Sequence, residues 1–332
     1  MGDGLLLDVR GLTVQYETES GPLVAVEQVD LQLREGEFLG IVGESGCGKS
    51  TLLFAIARLL VPPARISSGS VVFRGRDMVE LAEKELRQVR WRDFSVVMQS
   101  AMNALNPVMT VGAQLKDVCE QHSTMSRREI ALRSAQVLRL VSVDPRHLDS
   151  YPHQLSGGMR QRAMIAMALL FTPQLVIMDE PTTALDVVAQ RSLMVQIREL
   201  QKRLGFAVLF VTHDMSLLRH FADRVAVMYA GQVVEVSSTA QVFGHPLHPY
   251  SRGLLAAFPS VTGPRVHLVG LPGAPPDLLR PPRGCRFHPR CPEVMRSCPN
   301  VEPPLYEVGG DLVRCLLYDE RGGRAGTSER SS

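Results

Sequence analysis

The stretch Gly43-Glu44-Ser45-Gly46-Cys47-Gly48-Lys49-Ser50-Thr51 constrains this chain more than any other. It follows a short apolar run, Phe38 to Val42, and opens a helical pattern from Lys49 to Leu60 that ends before Pro62-Pro63. Strand, glycine-rich loop and helix in that order make the P-loop pattern. The glycines let successive backbone N–H groups curl around phosphates, and the helix N-terminus adds a dipole that favours anions. Lys49 brings a positive charge to the β- and γ-phosphates, and the Ser50 hydroxyl is suited to ligating Mg²⁺. A triphosphate with its magnesium is the expected ligand.

The surrounding pattern fits an α/β protein. Alternating apolar residues at Leu5, Leu7 and Val9, then at Val24, Val26, Val29, Leu31 and Leu33, predict a β-rich N-terminal part. Residues 112–150 read as mostly helical. Leu175 to Met178 and Phe206 to Val211 are unalternating apolar runs, and an amphipathic helix from Gln190 to Leu204 lies between them. Buried strands joined by a helix predict a parallel sheet. Proline and glycine crowd the stretch from Pro259 to Pro282, as in a linker, and the polar tail after Asp319 predicts disorder.

Two carboxylates, Asp179 and Glu180, close the Leu175–Met178 strand. In open α/β sheets ligands bind beyond the carboxyl ends of strands. Asp179 is therefore expected to face the magnesium, and Glu180 to polarise an attacking water. A second glycine-rich helix start, Leu155-Ser156-Gly157-Gly158-Met159-Arg160-Gln161, precedes that strand.

With these motifs in order, the chain resembles the ATP-binding subunits of ABC transporters. The family signature reads Leu-Ser-Gly-Gly-Gln, and here Met159 stands in place of the Gln. The resemblance implies further roles. Gln99, after the Phe94–Met98 strand, corresponds to the Q-loop glutamine, which adds to the magnesium ligands. His213, in Val-Thr-His-Asp, corresponds to the switch histidine that hydrogen-bonds a γ-phosphate oxygen. Ala184-Leu185-Asp186 corresponds to the D-loop. Tyr16 corresponds to the aromatic that stacks on adenine, although it would serve equally as a packing residue at a strand end. The implied fold is a P-loop ABC-type ATPase domain over residues 1–240, with a helical subdomain at about 100–165. Two such domains close head to tail, so that Ser156, Gly157 and Gly158 of one face the P-loop of the other. One P-loop and one signature per chain imply a second ATPase subunit, identical or homologous.

The last part of the chain narrows the resemblance. His248-Pro249-Tyr250-Ser251-Arg252-Gly253-Leu254-Leu255 is followed by Pro281-Pro282-Arg283-Gly284-Cys285-Arg286-Phe287-His288-Pro289-Arg290-Cys291-Pro292, then Cys298 and Pro303-Pro304-Leu305. Residues 241–318 thus resemble the C-terminal extension of oligopeptide/dipeptide importer ATPases, as does Leu105-Asn106-Pro107. The implied partners are two transmembrane permease subunits and, indirectly, an extracytoplasmic substrate-binding protein. Nickel or oligosaccharide import by the same machinery is an alternative, and a soluble ABC-type ATPase of iron–sulfur assembly is another.

Four cysteines crowd the extension with the spacing Cys285-x5-Cys291-x6-Cys298-x16-Cys315. This is neither a zinc ribbon nor a ferredoxin run. Four thiolates in a proline-rich segment suit Zn²⁺ or an iron–sulfur cluster, and the resemblance favours [4Fe–4S]. Unligated or disulfide-bonded thiols remain the alternative, with disulfides disfavoured in a cytosolic setting.

Bulk properties agree with a peripheral subunit. The formal net charge of +2 over 332 residues gives no reason to expect a nucleic-acid partner. The longest apolar run, Ala163 to Phe171, is far below the roughly 18–20 residues that span a bilayer. The N-terminus lacks the basic start of a signal peptide, and Leu6 stands where a myristoylation motif needs Ser or Thr. The expected location is the cytoplasmic face of a membrane, held through partners.

Overall fold

A computed structural model describes residues 4–98, 105–182, 186–257 and 271–319. In chain order the strands are β1 (Leu5–Thr18), β2 (Gly21–Arg34), β3 (Phe38–Val42), β4 (Ala64–Phe73), β5 (Arg76–Asp77), β6 (Phe94–Val97), β7 (Leu175–Asp179), β8 (Ala207–Val211), β9 (Arg224–Tyr229), β10 (Gln232–Ser238), β11 (Tyr306–Val308) and β12 (Asp311–Val313). The helices are α1 (Lys49–Ile56), α2 (Glu83–Val89), α3 (Val111–His122), α4 (Arg127–Leu140), α5 (Gly157–Ala168), α6 (Val187–Leu204), α7 (Met215–Phe221), α8 (Thr239–Gly244) and α9 (Pro249–Ala256). The chain divides into two compact units. One takes Met1–Asp8, Gln32–Leu39 and Val71–Val211, and the other takes Val9–Leu31, Gly40–Ser70 and Thr212–Ser332.

In the first unit β6, β7 and β8 are parallel, with Phe94 opposite Leu175 and Leu175 opposite Ala207. Every residue of β7 and β8 is buried, which is why their sequences do not alternate. α6 buries Leu193, Met194, Ile197 and Leu200, one face at helical spacing. It starts on Asp186, whose carboxylate accepts the Ala189 N–H at 2.8 Å, and stops at Gly205 with φ 77°. α4 carries a capping box: the Ser126 hydroxyl accepts the Glu129 N–H at 3.3 Å and the Glu129 carboxylate accepts the Ser126 N–H at 2.7 Å.

In the second unit α1 is shorter than the sequence pattern suggests. It ends at Ile56 because Arg58 takes φ 54° and closes a Schellman turn. Its N–H donates to Ala55 at 3.1 Å, and Leu59 N–H donates to Phe54 at 2.8 Å. β9 and β10 form a hairpin whose two turn residues, Ala230 and Gly231, both have positive φ. β12 adds antiparallel to β10, with Val313 opposite Glu235, and β11 pairs with β12. The extension thus contributes a hairpin to the sheet, which the sequence pattern did not reveal. The first half of the linker expected from Pro259 to Pro282, residues 259–270, lies outside the described residues, as does all of the tail after Asp319.

Candidate nucleotide site and C-terminal extension

In the second unit the P-loop joins β3 to α1, as the sequence implied. Gly48 caps α1 with φ 103°, and a Cβ there would strike the Ala25 carbonyl oxygen. A Cβ at Gly43 would strike the Met228 carbonyl oxygen on β9. The loop is therefore packed too closely for any side chain at either position. Lys49 is buried, and its ammonium donates to the carbonyl oxygens of Gly43 at 2.8 Å and Glu44 at 2.9 Å. The positive charge sits inside the curl of the loop, where phosphate recognition needs it. Cys47 is buried behind it, and burial pushes its thiol pKa up, so it stays a neutral packing group. Gly46 adopts φ 78° and the Ser45–Gly46 segment completes the turn. Thr51, one turn into α1, shares a 3.0 Å hydrogen bond with the Tyr16 hydroxyl. This brings Tyr16 to the phosphate end of the helix, beside Ser50. His213 follows directly on Thr212 and is exposed. Thr212 receives the Asp214 N–H at 3.0 Å, and Asp214 in turn caps α7 by accepting the Ser216 N–H at 2.7 Å.

The first unit holds the acidic pair and the signature. Asp179 is buried at the end of β7, opposite Val211. Glu180 takes φ 42°, a left-handed conformation unfavourable for a residue with a side chain, and is fixed there by its N–H to the Val211 oxygen at 3.0 Å. Ser156 is the exposed N-cap of α5, and its hydroxyl accepts the Met159 N–H at 3.3 Å. A Cβ on Gly158 would meet nothing within 4 Å, so nothing in the fold requires glycine there. Small residues on an open helix start leave room for a ligand or another chain to approach the backbone. Gln99 and Ala184-Leu185 lie outside the described residues. Asp186 is described, and its carboxylate serves as the cap of α6.

The four extension cysteines share one region. Burial first, then the neighbouring Cys298 and Cys291, push the Cys285 thiol up to about 11. Burial again, with Cys285, Cys291 and Cys298 adding, pushes Cys315 up to about 12. The Cys285 N–H donates to the Cys298 carbonyl at 2.8 Å, and the Cys298 sulfur accepts the Met295 N–H at 3.4 Å. Among the described residues no group of three or more His, Cys, Asp or Glu side chains stands in metal-holding arrangement.

Comparison with known proteins agrees with this geometry. A family model described as ABC transporter matches residues 26–183, and one described as oligopeptide/dipeptide transporter, C-terminal region, matches residues 234–298. The dipeptide transport ATP-binding protein DppD of Caldanaerobacter subterraneus is 42% identical over 319 residues, covering 95% of this chain and 98% of that protein. The oligopeptide transport ATP-binding protein OppD of Salmonella typhimurium is 45% identical over 314 residues, covering 94% and 93%. This chain belongs to the ABC transporter ATP-binding proteins of the oligopeptide/dipeptide branch. The ABC-type fold is found in solved relatives of this ABC protein as well. The dimeric bacterial ABC transporter cassette MJ0796 superposes with TM-score 0.63 at 29% identity, covering 70% of this chain and 99% of that one. The same cassette bound to ADP and Pi gives TM-score 0.62.

Around the P-loop of this ABC protein the structure adds residues that the motifs did not contain. Arg290 and Tyr250, from the extension, both reach Glu44 inside the loop. The one available signal was Glu44 itself, because an acid inside an anion-binding loop calls for a nearby cation.

Proposed function

We propose that Lys49, Asp179, Glu180 and His213 carry out ATP hydrolysis in this chain, with its partners converting that hydrolysis into peptide import. The chain is the ATP-binding subunit of an oligopeptide/dipeptide ABC importer and an ATP hydrolase. The observation that carries the residue assignment is the position of the Lys49 ammonium, held within the glycine curl between β3 and α1. In this reading Gly43, Glu44, Ser45, Gly46, Cys47, Gly48, Lys49, Ser50 and Thr51 cradle the phosphates, and Tyr16 lies against the adenine. Ser50, Gln99 and Asp179 are the residues that would hold magnesium, which when bound would neutralise phosphate charge. Glu180 orients and polarises the attacking water, and His213 donates to a γ-phosphate oxygen. Ser156, Gly157 and Gly158 approach the nucleotide of a second ATPase subunit, with Asp186 at that junction. The open surface at Gly158 supports this role.

The partners in this reading are two permease subunits, the second ATPase and, indirectly, an extracytoplasmic binding protein, with this chain on the cytoplasmic face. No helix among the described residues is long and apolar enough to cross a membrane. Cys285, Cys291, Cys298 and Cys315 are the residues that would hold a [4Fe–4S] centre, with Zn²⁺ as the alternative occupant. Their closeness in one region, seen in the effect of the other cysteines on the Cys285 and Cys315 thiols, supports this. Such a centre would bind the four sulfurs as thiolates and so tie the extension together. Anaerobically purified chain should then carry about four irons and absorb broadly near ~400 nm. Metal-free, folded protein would remove the centre.

The deciding test of the hydrolytic assignment is Glu180→Gln in the assembled importer. MgATP binding should persist while turnover falls by ~100-fold or more. Near-normal turnover would remove Glu180 from its role.

A further inference from the structure

Glu44, the second residue of the phosphate loop, has every polar group engaged. Its N–H donates to the Tyr250 hydroxyl at 3.0 Å. Its carbonyl oxygen accepts the Lys49 ammonium at 2.9 Å and the Cys47 N–H at 3.3 Å. Its carboxylate takes the Arg290 guanidinium as a two-pronged pair, at 2.7 and 2.9 Å. Two of these partners, Tyr250 and Arg290, come from the C-terminal extension, more than two hundred positions away in the chain.

Both partners are themselves rigidly mounted. Arg290 is buried, its Nε donates to the Pro272 carbonyl at 2.8 Å, and its guanidinium lies over the Tyr229 ring. Tyr250 is fully buried between Tyr229 and Phe287, with ring centroids 4.6 and 5.4 Å away. It sits on α9, whose N-cap His248 accepts the Tyr250 N–H at 2.9 Å. The turn before α9 is fixed by the buried Glu235 carboxylate on β10, which accepts the Leu247 and His248 N–H groups at 3.0 and 2.8 Å. A continuous series of hydrogen bonds therefore runs from the sheet through the extension to the backbone of the loop.

We propose that the extension sets the nucleotide affinity of the phosphate loop, with Arg290 and Tyr250 as positioning residues that hold Glu44. The inference rests on the reading of residues 43–51 as the ATP-binding loop. A glycine-rich loop must order its backbone before its amides can converge on phosphates, and each conformational freedom fixed in advance is one that binding need not remove. The bidentate, partly buried ion pair is the strongest of these restraints, since a fork-shaped cation fixes both position and orientation. Burial also holds the Tyr250 hydroxyl well above its usual pKa, so it remains a neutral hydrogen-bonding group.

The experiment compares ATP kinetics of the assembled importer carrying Arg290→Gln, Arg290→Lys, Tyr250→Phe or Glu44→Gln, with Lys49→Ala as the reference for the loop. R290Q should raise the KM for ATP by about tenfold while kcat at saturation stays within about twofold. Y250F, which keeps the buried ring, should raise KM by about threefold, and R290K should recover part of the loss. The double variant E44Q/R290Q should be no worse than R290Q alone, because both substitutions remove one interaction. A fall in melting temperature or yield with unchanged KM in R290Q and Y250F would show that the contacts only fasten the extension and would overturn the proposal. If R290Q does not fold, the KM of Y250F decides. Should Lys49→Ala leave ATP affinity unchanged, the loop assignment itself fails. If Lys49→Ala loses affinity and the other variants do not, only the positioning role fails.

Discussion

His248 shows how a single buried side chain ties stability to pH. Burial, and then the neighbouring Arg252, lower its pKa to about 3, while a hydrogen bond to the Arg314 backbone acts weakly in the opposite direction. The imidazole is therefore neutral in the folded protein, and Nδ1 is free to accept the Tyr250 N–H. In the unfolded chain it titrates near 6.5. Below that pH the unfolded state binds a proton that the folded state refuses. The contribution of His248 is thus complete above ~6.5 and is lost as pH falls toward 3, at up to about 1.4 kcal/mol per pH unit. Glu235, the nearby acid, accepts from the backbone of residues 247 and 248 and holds the turn in place. His248→Asn should keep the cap, because an Asn oxygen accepts from the same N–H, and should flatten the acid limb of the stability profile. Urea midpoints between pH 7 and 4 would check it; an unchanged slope would assign the acid sensitivity elsewhere. At this scale the P-loop was legible in the sequence because its residues are contiguous and each glycine has a steric reason. Arg290 and Tyr250 were not legible, because nothing in a linear pattern reports which residue will meet Glu44.

Elements were readable where local chemistry and burial agreed. β7 and β8 appeared as unbroken apolar runs because parallel strands covered on both faces need no polar alternation. The start of α4 is written in Ser126 and Glu129, three residues apart. Ser126→Ala removes the acceptor for the Glu129 N–H on an exposed helix start and should cost about 1 kcal/mol. Faster hydrogen exchange confined to the first turn of α4, with β7 unaffected, would be the local signature; unchanged exchange would show that tertiary packing alone holds that turn. The end of α1 was misread because Arg58, a long polar residue, takes the left-handed position that glycine usually fills. The β11–β12 hairpin was missed because each strand has only three residues and they are largely unburied, so periodicity has too little length to register.

At the scale of the whole molecule, one chain contributes one phosphate loop and one signature. Ser156 caps its own helix at the exposed surface, and a Cβ on Gly158 would meet nothing within 4 Å, so the fold itself does not require glycine there. If their task is to complete the nucleotide site of a second ATPase subunit, catalysis depends on assembly while binding at Lys49 does not. The isolated chain should bind MgATP and hydrolyse it slowly, with turnover that rises on adding the partner ATPase and the permeases. Gly158 allows this to be tested with little disturbance of packing, since a Cβ there meets nothing within 4 Å. Gly158→Leu should leave melting temperature and MgATP affinity of the isolated chain unchanged, because a surface change away from buried contacts stays within about 0.5 kcal/mol. In the assembled importer the same substitution should lower ATP turnover by ~100-fold, as a bulky side chain excludes backbone approach to the partner's phosphates. Measuring both preparations separates the outcomes. Loss in the isolated chain would mean that Gly158 serves its own fold. Full turnover in the assembled G158L importer would mean that the helix start at Ser156 does not reach a nucleotide at all.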